Sequence, residues 1–151
     1  TRKYELGARY VDNSDTNAIK KEYVYIKAHG ALTQYQPYQL SAVNTAGAEV
    51  STKAPATTAS GATVVAPQVA ITSGYYAWVA YKGIVTVLTT DTFAAGDYAE
   101  VLNAGTGLKL DGGVSGSTAE GAGSVGIATT ATSGGSASFV LSGNVVAVAA
   151  S

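Results

Sequence analysis

Tyr75-Tyr76-Ala77-Trp78-Val79-Ala80-Tyr81-Lys82-Gly83-Ile84-Val85-Thr86-Val87-Leu88 is the stretch that decides the fold class. β-Branched and aromatic residues fill it, and neither Pro nor a 3.6-residue apolar stripe interrupts it, so it reads as strand. Gly83 breaks the run and marks a bulge, a sharp bend or a turn, giving strands near 75–81 and 83–89. Trp78 is the largest candidate core side chain, with Val79, Tyr81, Ile84, Val85, Val87 and Leu88 around it.

The same character extends outward in both directions. Short Val/Ile/Thr/Tyr runs separated by Gly-containing turns predict strands near 37–43, 47–52, 64–71, 98–103, 107–110, 124–130, 137–141 and 144–149. Phe93-Ala94-Ala95-Gly96-Asp97 reads as a tight connection between two strands. Ala54-Pro55-Ala56-Thr57-Thr58-Ala59-Ser60 is Ala-rich but holds Pro, Thr and Ser and no apolar stripe, which makes it a loop or extended linker. Eight glycines fall between 105 and 126, and the stretch 111–123 is almost free of apolar side chains, so a long exposed loop is expected there. The expected fold is all-β: a small barrel or sandwich of short antiparallel strands.

Charge divides the chain. Of 151 residues only 13% are charged, about half the usual share. Ten of these nineteen residues lie within 1–30: Arg2, Lys3, Arg9, Lys20, Lys21 and Lys27 against Glu5, Asp12, Asp15 and Glu22. The boundary near His29-Gly30 separates residues 1–30, an N-terminal hairpin or arm, from a body over 31–151. In the first part Tyr4, Leu6, Ala8 and Tyr10 alternate with polar residues or Gly. A cluster of turn formers follows over Asp12 to Asn17, and then comes Tyr23-Val24-Tyr25-Ile26. A two-stranded hairpin is marginal alone, so it must lie on the body or on a partner.

Composition removes several chemistries. With no Cys there are no disulfides, thiolate metal sites or thiol nucleophiles, and one His excludes multi-histidine metal centres. A net charge of −1 and a pI near 5.7 leave no electrostatic footprint for nucleic acid, and no apolar run is long enough for a membrane helix. A mean hydropathy of +0.16 with so few charges points to a surface that meets another protein.

No catalytic, cofactor or metal site is expected. His29 reads as a polar residue at the hairpin–body junction. Asp91, Asp97, Glu100 and Asp111 are close in sequence but lack calcium-loop spacing, and Asp97 stands where a Gly-Asp turn needs it. Gly105-Thr106-Gly107-Leu108-Lys109-Leu110 has Leu where a phosphate-binding motif needs its third Gly, and no helix follows. Tyrosine is the more telling residue, since it supplies amphipathic contact area at low entropic cost. The candidate partner interface is therefore Tyr4, Arg9, Tyr10, Lys20, Lys21, Tyr23, Tyr25 and Lys27, with Tyr35 and Tyr38 flanking Gln36-Pro37. Tyr75, Tyr76, Tyr81 and Tyr98 are expected in the core or at a subunit seam.

This layout resembles the small all-β capsid decoration, or cement, proteins of tailed phages. The resemblance is carried by Tyr4-Glu5-Leu6-Gly7 through Val11-Asp12, Glu22 to Ala28, Gly74 to Val79 with Gly83-Ile84-Val85, Ala94 to Asp97, and Val125 to Ala128 leading to Phe139-Val140-Leu141. It implies a non-enzymatic protein on the outer surface of the capsid in the virion. Such a protein binds the major capsid protein and neighbouring copies of itself, as a homotrimer at three-fold or quasi-three-fold sites. It has no cofactor and contacts neither nucleic acid nor membrane. The alternative is a carbohydrate- or host-surface-binding β module of a phage fibre or knob, with exposed Tyr and Trp as its platform. A hydrolase using Asp97 and Glu100 is a third reading, weakened by the lack of a nearby His.

Overall fold

The computed structural model describes residues 2–43, 49–53, 63–102, 105–111, 116 and 124–143. Ten strands occur among them: β1 (Arg9–Val11), β2 (Glu22–Lys27), β3 (Tyr38–Val43), β4 (Glu49–Lys53), β5 (Val64–Val65), β6 (Tyr76–Leu88), β7 (Tyr98–Glu100), β8 (Lys109–Leu110), β9 (Ser124–Ala128) and β10 (Ser136–Leu141). They form a seven-stranded sheet in the order β1-β2-β6-β10-β9-β7-β8 and a three-stranded sheet in the order β4-β3-β5. Every strand pairing is antiparallel. The arrangement is all-β and sandwich-like, and the large sheet ends in two edges rather than closing into a barrel.

The decisive stretch is one strand of 13 residues, not two. Its first half pairs with β2 from Lys27↔Tyr76 to Glu22↔Lys82, and its second half pairs with β10 from Leu141↔Gly83 to Ser136↔Leu88. Between Glu22 and Tyr23 the register slips by one residue, a β-bulge. An extra residue in one strand reverses the phase of the inward–outward alternation beyond it. Val79 and Tyr81 accordingly enter one core, whereas Ala80, Val85 and Val87 enter the other.

The larger core gathers these residues with Val64, Phe93, Ala99, Val101, Leu108, Val125 and Phe139; the Phe93 and Phe139 rings meet edge to face at 5.1 Å. The smaller core holds Val24, Ile26, Ala28, Leu32, Val65, Ile71, Val79 and Tyr81, with Tyr38 and Leu40 from β3 packed against it. The adjacent residues Val64 and Val65 of β5 point into different cores, as period-two alternation requires.

Gly83 is not a turn. It sits inside β6 with φ +88°, and a Cβ there would lie 1.9 Å from the backbone carbonyl oxygen of Lys20. The segment before β2 thus crosses directly over the bulged strand. Asp15 fixes that segment: its carboxylate accepts from the amides of Asn17 (3.0 Å) and Lys21 (3.1 Å) and pairs with Lys21 Nζ at 3.5 Å. The Lys20 ammonium donates to the Asp15 carbonyl. The Asn17 amide above all, then the amide and charge of Lys21, hold the Asp15 carboxyl down at about 2.

Several expectations change accordingly. The hairpin of residues 1–30 does form, as β1 and β2, but it is built into the body: β2 is an interior strand of the large sheet and Val24, Ile26 and Ala28 are core residues. Trp78 is only half-buried, because it lies on the face of β6 opposite Val79. Residues 4–8 precede the first strand rather than form it, and 66–71 contribute isolated bridges instead of extending β5. The linker at 54–60, the final strand near 144–149 and the loop at 111–123 (apart from Asp111 and Gly116) lie outside the described residues.

Two outcomes follow. Gly83→Ala must move backbone and adopt a positive φ with a side chain, so thermal unfolding should show a loss of at least ~2 kcal/mol. Asp15→Asn should lower Tm near neutral pH. Because the folded carboxyl titrates below its ordinary value of 3.8, its contribution is full above about pH 4 and disappears as pH falls towards 2. The Tm gap between wild type and Asp15→Asn should close over that window. A gap unchanged at pH 2 would show that the carboxylate is not what holds the segment.

Candidate partner-binding face

Register alone places the aromatic side chains. Tyr10 is opposite Tyr23, Tyr25 opposite Trp78, and Tyr76 opposite Lys27, so alternation brings all of them to one face of β1, β2 and β6. The other face, bearing Val24, Ile26 and Val79, is covered by β3 and β5. The aromatic face runs into the larger core at Ala80 and Tyr23, and the segment before β1 lies over Tyr25, leaving Tyr10 and half-buried Trp78 at its open part.

The rings form a connected cluster. Tyr10 stacks on Tyr23 at 5.1 Å and meets Trp78 edge to face at 4.8 Å. Tyr25 lies 5.0 Å from Trp78 and 6.1 Å from Tyr76. Tyr4, from the segment before β1, closes over the top at 5.2 Å from both Tyr25 and Trp78. That segment is held by its backbone: Gly7 N–H donates to the Tyr25 carbonyl (2.8 Å), the Ala8 carbonyl accepts from Tyr25 N–H (2.9 Å), and Lys3 N–H donates to the Tyr25 hydroxyl (3.2 Å). Each such ring pair adds about 0.5–1.5 kcal/mol beyond area burial, so the cluster is a rigid feature.

Tyr25 is buried beneath these neighbours, whereas Tyr4 and Tyr10 remain 53% and 42% exposed. An open groove of about 470 Å³ runs between them, lined by Tyr4, Ala8, Arg9, Tyr10 and Trp78. Burial, and then the nearby charge of Asp12, raises the Tyr10 hydroxyl above its ordinary value. Tyr23 is raised too, by burial first and then by Tyr10, Asp12 and Asp15. Both phenols therefore stay protonated at neutral pH as hydrogen-bond donors.

Of the remaining interface candidates, Lys27 lies on this face beside Tyr76 and Arg9 borders the groove while its guanidinium turns away; the others lie elsewhere. The Arg9 guanidinium lies 4.5 Å from the centre of the Tyr81 ring, on the covered side. Lys20 and Lys21 are tied to Asp15, and Lys27 reaches over the Tyr76 ring at 5.8 Å. The Tyr38 hydroxyl accepts from Thr33 N–H at 2.8 Å, and Tyr38 packs on the smaller core. Tyr35 has φ +64°, and its backbone bridges the Pro67 carbonyl and the Leu88 amide. Of the second tyrosine group, Tyr81 is buried, Tyr76 and Tyr98 are half-buried, and Tyr75 is 65% exposed. Trp78 and Tyr76 join the candidate face, although the sequence reading assigns them to the core or a subunit seam. Strict alternation along 76–81 separates Tyr76, Trp78 and Ala80 from Ala77, Val79 and Tyr81, and that signal is sufficient to find them.

The acidic residues are held by the fold. Asp97 is buried and accepts from the Ala94 and Gly116 amides, both at 2.8 Å. Asp91 accepts from Leu110 N–H at 2.9 Å, and Glu100 pairs with Lys109 at 2.6 Å. His29 is exposed at the junction, its carbonyl accepting from the Ser73 hydroxyl at 3.4 Å. Gly105 N–H donates to the Leu102 carbonyl in a turn. Among the described residues no three His, Cys, Asp or Glu side chains are grouped to hold a metal ion.

No family model and no curated protein matches the chain. Among solved structures, the fold is similar to that of the N base of the head fiber gp8.5 of bacteriophage phi29. The TM-score is 0.54 and the identity 15%, over 82% of this chain and 96% of that one. At that identity the likeness is one of fold.

If Tyr4 is a lid on a preformed cluster, Tyr4→Ala should cost only about 1–2 kcal/mol in denaturant unfolding while increasing the accessibility of Trp78, read as a red shift and stronger quenching of its fluorescence. An unaltered Trp78 signal would mean that Tyr4 does not cover it.

Proposed function

We propose that the chain is a structural, non-enzymatic protein of a phage virion that seats on the outer surface of the head and ties neighbouring major capsid subunits together. The observation that carries this reading is the likeness to a head-fibre base, which spans nearly all of that base. A decoration protein and a fibre base share one physical requirement, a firm hold on an assembled shell. The aromatic face meets that requirement, since its rings are amphipathic and Tyr4 and Tyr10 stand exposed at the groove beside Trp78, the composition that anchors protein interfaces.

Binding to the expanded shell but not to free subunits stabilises the assembled state by mass action. Repetition around a symmetry axis multiplies modest single contacts, in keeping with the proposed association of copies at three-fold or quasi-three-fold sites. Tyr4, Tyr10 and Trp78 are the proposed anchors. Lys20 and Lys21 act indirectly, by seating the segment that supports β2.

A carbohydrate-binding fibre module is the second reading, favoured by the fibre likeness together with the open aromatic groove. A glycan array on which retention is lost in Trp78→Ala, with no binding to heads, would replace the first reading by this one.

The test is co-sedimentation with expanded, DNA-free heads of the phage that carries the gene. The chain should pellet with heads and remain in the supernatant with unassembled capsid protein. Tyr10→Ala should weaken head binding at least tenfold at a temperature where it remains folded, its stability falling by only about 1–3 kcal/mol through the lost ring pairs with Tyr23 and Trp78. Equal binding to free subunits and heads, or none to either, overturns the proposal.

A further inference from the structure

Among the described residues, β1 is one edge of the large sheet and pairs only with β2. The bonds at Ala8 (to Tyr25) and Asp12 (to Lys21) sit on the same register as Tyr10↔Tyr23. In an antiparallel pair, hydrogen-bonded and non-hydrogen-bonded positions alternate. The Ala8 carbonyl, the Asp12 amide and both backbone groups of Tyr10 therefore face β2, the Ala8 amide donating instead to the Glu5 carbonyl, and Arg9 and Val11 turn their amides and carbonyls outward.

β1 is short, which is itself one protection of an edge, but Pro and a cluster of charge, two others, are missing from it. β1 holds no Pro and one charge, and that charge, Arg9, is stacked on Tyr81. All three residues of β1 are exposed, and Val11 at 44% stands beside Tyr10. The aromatic groove follows this edge, because three of its five lining residues, Ala8, Arg9 and Tyr10, are consecutive.

We infer that β1 is a strand-addition site: an extended segment of a shell protein pairs with the outward amides and carbonyls of Arg9 and Val11 and lays a bulky apolar side chain into the groove between Tyr4, Tyr10 and Trp78. This deepens the proposed head attachment and rests on it. Backbone pairing supplies affinity and the groove supplies selectivity for alternate side chains. A second copy of the chain is a poorer occupant. A two-fold axis through Tyr10 pairs only Arg9 with Val11 across three residues, far less than the ~1,000 Å² that a stable interface buries. A longer partner strand continues past Ala8 into the groove.

Val11→Pro removes one outward N–H without touching a bond to β2, and Pro is tolerated on an edge strand whose N–H faces away from the sheet. With expanded, DNA-free heads, Val11→Pro should keep the wild-type Tm and lose at least tenfold in binding, whereas Val11→Thr should bind as wild type. In the wild-type chain, hydrogen exchange at Arg9 and Val11 should slow at least tenfold on the heads. Wild-type binding with both amides still exchanging freely overturns strand addition while leaving head attachment intact, and so does full binding by a folded Val11→Pro. No wild-type binding overturns both. A dimer of the chain alone that Val11→Pro dissociates would assign the edge to a second copy instead.

Discussion

The Lys20 carbonyl occupies the space a side chain at residue 83 would need. That close approach, just beyond the bulge in β6, lets the segment before β2 cross the longest strand. Because the bulge reverses alternation, β6 serves the smaller core through Val79 and Tyr81 and the larger core through Val85 and Val87. The outward face of its first half is then left to Tyr76 and Trp78. The aromatic face is thus a consequence of how two cores share one strand.

An exposed aromatic cluster beside an open sheet edge is an aggregation hazard for a free protein, limited here by the shortness of β1. In a protein that acts only on an assembled lattice, the same features are its working surface. Asp15 and its turn matter here through the fold: by seating Lys20 and Lys21 against β6 they hold β2, and β2 holds the edge strand.

The all-β class is legible from the strand runs between Gly-containing turns, and most strands lie where those runs are. Grouping Tyr4, Tyr10, Tyr23 and Tyr25 is legible too, from alternation on either side of a polar turn. Trp78 is misplaced when size is weighed before phase: Val79 and Tyr81 share one face, and Trp78 is on the other. Charge density over residues 1–30 does not reveal that β2 is an interior strand, because the charges lie in the turn and on the strand flanks while Val24 and Ile26 are core. Gly83 stands out in the sequence as special, but no local signal tells a glycine in a turn from one that admits a distant carbonyl.

The central claim is that the open part of the aromatic face and its adjoining edge are what the chain holds on with. A cryo-electron-microscopy reconstruction of expanded heads saturated with the chain measures this directly. The account predicts that Tyr4, Tyr10 and Trp78 lie at the shell surface with added strand density alongside β1. Bound chains with those rings turned to solvent, held through β4 or β8 instead, would contradict it.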